Sequence, residues 1–243
     1  MSLPNVNAPP PAAALRRIGR YFSEHGLGLT LLKTAGQALR RLSGGWARLN
    51  VYALTAQPLK GRAIAKPAAT GSTVIEAVHV GDPRLALTPR PAQVLQARFD
   101  AGAECRMAFV KDRFAGMHWV ARGVYVEDEV RCTYVIDQPE LAVWDFDVYV
   151  EPTFRGTRVF LRLWQTAEQG LAAQGVRWSF SRIDVLNAGS LSSHAGLGAV
   201  AVGHAAFLTM GAWQFGWASV SPRWHLTRRG APGPRFRMKA PHA

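Results

Sequence analysis

The chain predicts an α/β domain: a mixed, mostly antiparallel sheet containing one parallel pair of strands, preceded by helices. Two observations carry this. From residue 73 to 150 strand-like runs follow one another at 73–80, 106–110, 117–126, 130–136 and 142–150, with only turn signals and one short helical stretch between them, which reads as a meander. After Pro152 the period changes. Val159, Leu163 and Leu171 recur at helical spacing up to Gly175, and a strand follows at 176–183. A strand, helix, strand unit of this kind crosses over right-handed and lays its two strands side by side in parallel.

The remaining elements fall around this unit. Residues 2–11 carry four prolines and predict an extended arm. Residues 12–42 read as two basic amphipathic helices, with Leu15, Ile18 and Phe22 on one face of the first and Leu29, Leu32, Ala35 and Leu39 in the second; Gly26 and Gly28 separate them. They suit either a hairpin packed on the main domain or a segment lying on a membrane or partner surface. A strand is expected over 46–54, a loop over 61–72 and a short helix over 91–100, opened by Pro91. Asn187 is placed to cap a helix over 188–197. Strands follow at 199–209 and 212–220, divided by Met210-Gly211, and a basic, Pro-rich tail with solvated arginines runs from Pro222. The resulting division is 1–45 for the arm and helices, 46–220 for the main domain and 221–243 for the tail.

Composition narrows the chemistry. A length of 243 residues with 48% hydrophobic content is ample for a sizeable core. Lys and Arg number 29 against 16 Asp and Glu, a net charge of +13 that favours anionic partners: nucleotide phosphates, an acidic carrier protein, a membrane surface or nucleic acid. No recognised nucleic-acid motif is present, which disfavours the last. The two cysteines, Cys105 and Cys132, make neither a disulfide framework nor a CxxC pair and read as core thiols in a reducing compartment. There is no secretory h-region and no apolar run of about 18 residues, so a cytoplasmic protein is expected. His79, His118, His194, His204 and His225 show no metal-ligand spacing, and no metal is expected. Trp213, Phe215 and Trp217 alternate along one strand, either as a buried face or as a wall of an acceptor pocket.

Chemistry concentrates in two motifs. The first is Val150-Glu151-Pro152-Thr153-Phe154-Arg155-Gly156, where a strand turns into a helix. Such a turn gathers free backbone N–H groups with the positive end of a helix dipole, and Arg155 and Arg158 add charge, so it suits a pyrophosphate. The second runs from Ser181 through Asn187, Ser190 and His194 to Leu197-Gly198. Together they resemble the GNAT N-acyltransferase superfamily, well over 142–220 and by strand order alone over 46–141. The resemblance implies that strands 142–150 and 176–183 splay into a V that admits the pantetheine arm of acetyl-CoA or another acyl-CoA. It further implies that an N–H on the first strand, that of Val148 or Val150, bonds the acyl carbonyl, that residues 155–160 (Arg155, Gly156, Thr157, Arg158, Val159, Phe160) hold the pyrophosphate, and that Asn187 and Ser190 border the pantetheine. The reaction implied is acyl transfer to an amine acceptor that the sequence leaves open. An acyl carrier protein as donor, or a non-catalytic binding module on the same fold, are the alternatives.

Two departures from the family pattern matter. Arg158 and Phe160 replace the later small residues of the loop, and a Cβ at 158 hinders close backbone approach to phosphate. Either the Arg158 side chain compensates through its charge, or the loop stands farther off, or CoA binding is lost. His194 takes the place of the tyrosine that protonates the departing thiolate in many family members; an imidazole can act as acid or base near neutral pH, or it simply packs. The attacking amine must lose a proton. Asp145 and Asp147, two apart on one strand, are expected to share a face as candidate bases, with pairing to arginines such as Arg182 or Arg122 as the competing reading. Glu127, Asp128 and Glu129 read as a solvated hairpin loop.

Overall fold

The computed structural model describes residues 28, 31, 35–60 and 73–241. The expected arm over 2–11, the first basic helix, much of the second and the loop over 61–72 lie outside the described residues. Helix α1 is described over 35–42. It leads into β1 (Ala47–Pro58), β2 (Thr73–Val78), α2 (Ala92–Asp100), β3 (Glu104–Val110), β4 (Arg113–Arg122), β5 (Val124–Val126), β6 (Thr133–Ile136) and β7 (Ala142–Val150). After β7 come α3 (Val159–Ala173), β8 (Trp178–Asp184), α4 (Ala188–Gly196), β9 (Val200–Met210), β10 (Trp213–Ala218), β11 (Trp224–Arg228) and β12 (Arg235–Met238).

Nine strands form one sheet in the order β11-β10-β9-β1-β8-β7-β4-β3-β2. Within it β7 and β8 are the parallel pair and the other pairings are antiparallel. From β1 to β4 the sheet is covered on both faces, because its strands alternate apolar side chains outward on both sides. On one face Tyr52, Trp119, Trp144, Phe180 and Phe207 meet α2 and a small sheet ordered β12-β6-β5. Aromatic stacking ties the two sheets together there, with Tyr134 of β6 only 4.1 Å from the Trp144 ring. On the other face lie α3 and α4. Helix α3 buries Val159, Leu163, Trp164, Ala167 and Leu171, the i, i+4 and i, i+3 spacing of a single stripe; Trp164 and Leu171 pack with Val120 and Val143, and Val159 and Leu163 with Ala108 and Ala115. It ends at Gly175, whose φ of 85° a Cβ would disfavour.

Three expectations are corrected. The run over 117–126 is two strands: Gly123, at φ 69°, turns the chain so that β5 leaves the large sheet for the small one. Residues 130 and 131 form a bend, and the strand runs only over Thr133–Ile136, with Cys132 O accepting from Glu127 N–H just before it. The segment from Pro222 is not a solvated tail. Trp224–Arg228 extends the large sheet beside β10, and Arg235–Met238 pairs in parallel with β6, burying Phe236 and Met238. Its arginines do stay on the solvent side.

Candidate functional site

The parallel ladder between β7 and β8 is three pairs long, Ala142–Trp178, Val143–Ser179 and Trp144–Phe180, and then stops. Each strand continues with its outer neighbour. β8 stays paired with β1 as far as Tyr52–Asp184, and β7 stays with β4 as far as Gly116–Val150. A notch therefore opens in the middle of the sheet from Asp145 and Ser181 onward, as expected for splayed strands. A bulge in β7 helps to open it. Trp119 pairs with Phe146 and Met117 with Tyr149, so Asp147 and Val148 together oppose His118, and Asp147 takes a φ of 50°. A bulge of this kind bends the strand that carries it. Beyond the bulge, Glu151 N–H donates to Ala115 O of β4 at 2.9 Å. Strand alternation then turns the N–H group of Val150 the other way, toward the notch, while Val148 belongs to the bulge itself.

The same bulge separates the two aspartates. They do not share a face, because the extra residue rotates Asp147 to the α2 side. There it accepts hydrogen bonds from Arg90 Nε at 2.8 Å and from Arg98, whose guanidinium also lies over the rings of Trp119 and Phe146. Burial works against its charge, but the bonds from Arg90 and Arg98 outweigh this and hold its carboxyl below the usual range. Asp145 faces the α3 side, where its Oδ1 lies 2.8 Å from His118 Nε2. Neither aspartate pairs with Arg182 or Arg122. Arg182 binds Glu127 with both ends of its fork, and Arg122 binds Glu104. Glu127 is thus a buried partner of Arg182 rather than part of a solvated loop; burial raises its pKa and the guanidinium opposes that shift.

Around Asp145 a polar cluster fills the space beneath α3 and α4. His194 Nδ1 lies 3.2 Å from Gln57 Oε1 and its Nε2 lies 3.9 Å from Asp145 Oδ2. The rings of Phe160 and Trp164 close over the imidazole edge-on. Thr55 and Ser181 share a hydroxyl hydrogen bond at 2.9 Å beside it. Burial lowers the pKa of His194, opposed by Asp145 and reinforced by His118, so the imidazole favours its neutral form. His118 Nδ1, Trp164 Nε1 and Ser179 Oγ are buried here with no hydrogen-bond partner.

At the outer end of β7 a 3-10 turn, Pro152–Phe154, leads to Gly156 at φ 76° and then to α3. Arg155, Gly156, Thr157 and Arg158 are exposed; Val159 is buried and Phe160 packs partly into the core with Val148 and Leu197. Thr157 Oγ1 donates to Phe154 O at 2.6 Å, which shapes the turn, and Arg158 makes no capping bond of its own. Asn187 caps α4, its Oδ1 accepting from Ser190 N–H at 3.1 Å.

On the α2 side the notch opens into a cavity of about 600 Å³. Asp145, Phe146 and Asp147 of β7 and Arg182 of β8 line it with Arg90, Val94, Arg98, Tyr125, Asp128 and Glu129; the carboxylates of Asp128, Glu129 and Asp147 stand against three guanidinium groups, while that of Asp145 points to the α3 side. A neighbouring apolar trough of similar volume continues along α2 past Val94, Ala97, Ala101, Ala121 and Val124. The structure thus brings together His194, Asp145, the Val148–Val150 edge and, at its outer end, the loop 155–160, while Asp147 belongs to a separate ion-pair cluster. Sequence reasoning missed His118, Arg90 and Arg98. The sign of His118 was there to see, a single polar residue in the buried run from Ala115 to Ala121.

This architecture, a largely antiparallel sheet whose one parallel pair splays beside a Gly-bearing strand-to-helix loop, is GNAT-like. No protein-family model matches the sequence, and no curated protein matches it. Among solved structures, a putative GNAT-family acetyltransferase from Novosphingobium aromaticivorans is 15% identical, with 68% of this chain and 67% of that one covered at a TM-score of 0.46. A tandem GNAT protein from the clavulanic acid biosynthesis pathway is 16% identical, with 65% and 53% covered at 0.44. A GNAT-family acetyltransferase from Elizabethkingia anophelis with acetyl-CoA bound is 12% identical, with 51% and 72% covered at 0.38. The reading of the site rests on the geometry of β7, β8 and the loop between β7 and α3.

Proposed function

We propose that the protein is an acyl-CoA-dependent N-acyltransferase working in the cytoplasm, with acetyl-CoA or a longer acyl-CoA as donor and an amine as acceptor. One observation carries the reading. Within residues 142–160 the chain sets in line a notch in the sheet, the outward-turned N–H group of Val150 beyond its bulge, and an exposed loop with Gly156 and two arginines at the start of a 15-residue helix. A pyrophosphate fits the loop, where helix N–H groups, the helix dipole and the Arg155 and Arg158 side chains act together. The pantetheine arm lies along the notch, bordered by Asn187 and Ser190, and the acyl carbonyl accepts from Val148 or Val150. The amine enters from the charged cavity on the α2 side and reaches into the notch, where its nitrogen meets the Asp145 cluster on the α3 side.

The amine nitrogen attacks the thioester carbon, the carbonyl oxygen becomes an oxyanion held by the backbone N–H, and collapse breaks the C–S bond. Asp145, backed by His118, takes the proton the amine loses. Asp147 is unsuited to this, since two arginines saturate its oxygens and stabilise its charge. His194 is mostly neutral at pH 7 and enclosed by aromatic rings, so it holds the Asp145 cluster in place and hands on protons. The proton left on that cluster is the one the departing thiolate regains.

Release of free thiol from acetyl-CoA with a panel of primary amines tests this. Asp145→Asn is expected to lower kcat about 100-fold with little change in KM for acetyl-CoA. Asp147→Asn is expected to lower the melting temperature with a much smaller kinetic loss. Equal kinetic losses in the two variants would remove Asp145 from the role of base.

A further inference from the structure

Four strands at one end of the large sheet, β1, β9, β10 and β11, present a continuous apolar face on the side of α1 and α4. Register defines it in cross-strand rows. Leu49, Leu208, Phe215 and Leu226 form one row, and Val51, Ala206, Trp217 and Trp224 the next. Ala47, Met210, Trp213 and Arg228 form the third. The β1 half is covered: Gly36 of α1 rests on Leu49, and Leu191 of α4 packs with Val51 and Ala206. Among the described residues nothing packs over the β10–β11 half. Trp224 is 62% exposed, Leu226 63%, Trp213 49% and Phe215 40%, the aromatic rings 5.7 Å apart between Phe215 and Trp224.

Large apolar side chains clustered on a soluble surface mark a place where something docks. The charge around them says what. No Asp or Glu occurs in β1, β9, β10 or β11, and none follows Asp184 anywhere in the chain. Arg228 stands on the face itself in register with Trp213, and Arg223 and Arg229 are exposed at the two ends of β11. A second copy on this face would set arginines against arginines in a chain of net charge +13. An anionic lipid surface meets both features, since Trp side chains settle at the headgroup level and arginines pair with lipid phosphate. We infer that the open face of β10 and β11 docks the protein peripherally on an anionic membrane, which brings the active notch to a lipid-borne or membrane-proximal acceptor. Among the described residues no helix is long and apolar enough to cross a membrane, so attachment through this face is interfacial.

The docking claim stands without the enzymatic reading, because the assay needs no turnover. The full chain is floated with vesicles of phosphatidylcholine alone or with a quarter phosphatidylglycerol, at low and high salt, beside Phe215→Ser and the double variant Trp224→Ser/Leu226→Ser. The expected result is flotation only with phosphatidylglycerol, weakened by salt, and reduced about tenfold in both variants. Because these side chains face solvent, their melting temperatures should match the parent. No flotation, flotation with neutral lipid alone, or flotation indifferent to the substitutions overturns the proposal. So does a dimer in light scattering that the same substitutions dissolve, which would assign the face to a second copy. Thiol release with and without the vesicles then reads separately whether the chain is an acyltransferase at all.

Discussion

Asp145 and Asp147 are two residues apart on one strand, and alternation alone puts them on one face. The bulge undoes that rule. Asp tolerates the left-handed region better than most residues, so nothing in the sequence announces that position 147 sits at φ 50°. The consequence is chemical, for one carboxylate joins a histidine cluster and the other neutralises two arginines. His194 was legible as a candidate from its motif position, but its enclosure by Phe160 and Trp164 was not, because it depends on side chains from a different helix. That enclosure has a measurable effect. The folded pKa lies below the ordinary 6.5, so the unfolded chain binds more protons below that value and stability falls as pH drops through it. The melting temperature of the parent should decline between about pH 7 and pH 5, and His194→Gln should flatten that decline. An unchanged slope would place the protonation elsewhere.

At the scale of elements the reading succeeded where local chemistry decides. The bounds of β7, the helix opened after Pro152 and the Asn187 cap are all fixed by residues within a few positions of one another. What stayed hidden was how β4 and β7 fit. Gly116 shows the constraint: a Cβ there would collide with the backbone oxygen of Tyr149, so no side chain can be accommodated without moving β7. Gly116→Ala should therefore cost about 2 kcal/mol in chemical denaturation. Because β7 carries the Val150 N–H, the same variant should weaken acetyl-CoA binding, whereas an undisturbed binding constant would detach that edge from the cofactor.

Across the whole molecule the miss lies at the C-terminus. Arg, Pro and Gly dominate from Pro222 and suggest a solvated tail, yet Phe236 and Met238 alternate with Arg235 and Arg237 at the period of a half-buried strand. That signal is only two apolar residues long. It gains meaning solely from β6, a strand a hundred residues earlier that Phe236 joins through Tyr134. The C-terminal strand is therefore part of the core. Phe236→Ala should destabilise the fold by about 3 to 5 kcal/mol in urea unfolding, where a residue in a solvated tail would change it by about 0.5 kcal/mol or less.

The proposed function stands or falls with acyl-CoA binding at the loop after β7 and the notch beside it, where Arg158 and Phe160 are bulky. Calorimetric titration of the purified protein with acetyl-CoA, repeated with Arg158→Glu, tests it most directly. Saturable binding that the charge reversal weakens about tenfold or more is expected; absence of heat with acetyl-CoA and with a longer acyl-CoA, or binding indifferent to Arg158→Glu, would rule such a site out.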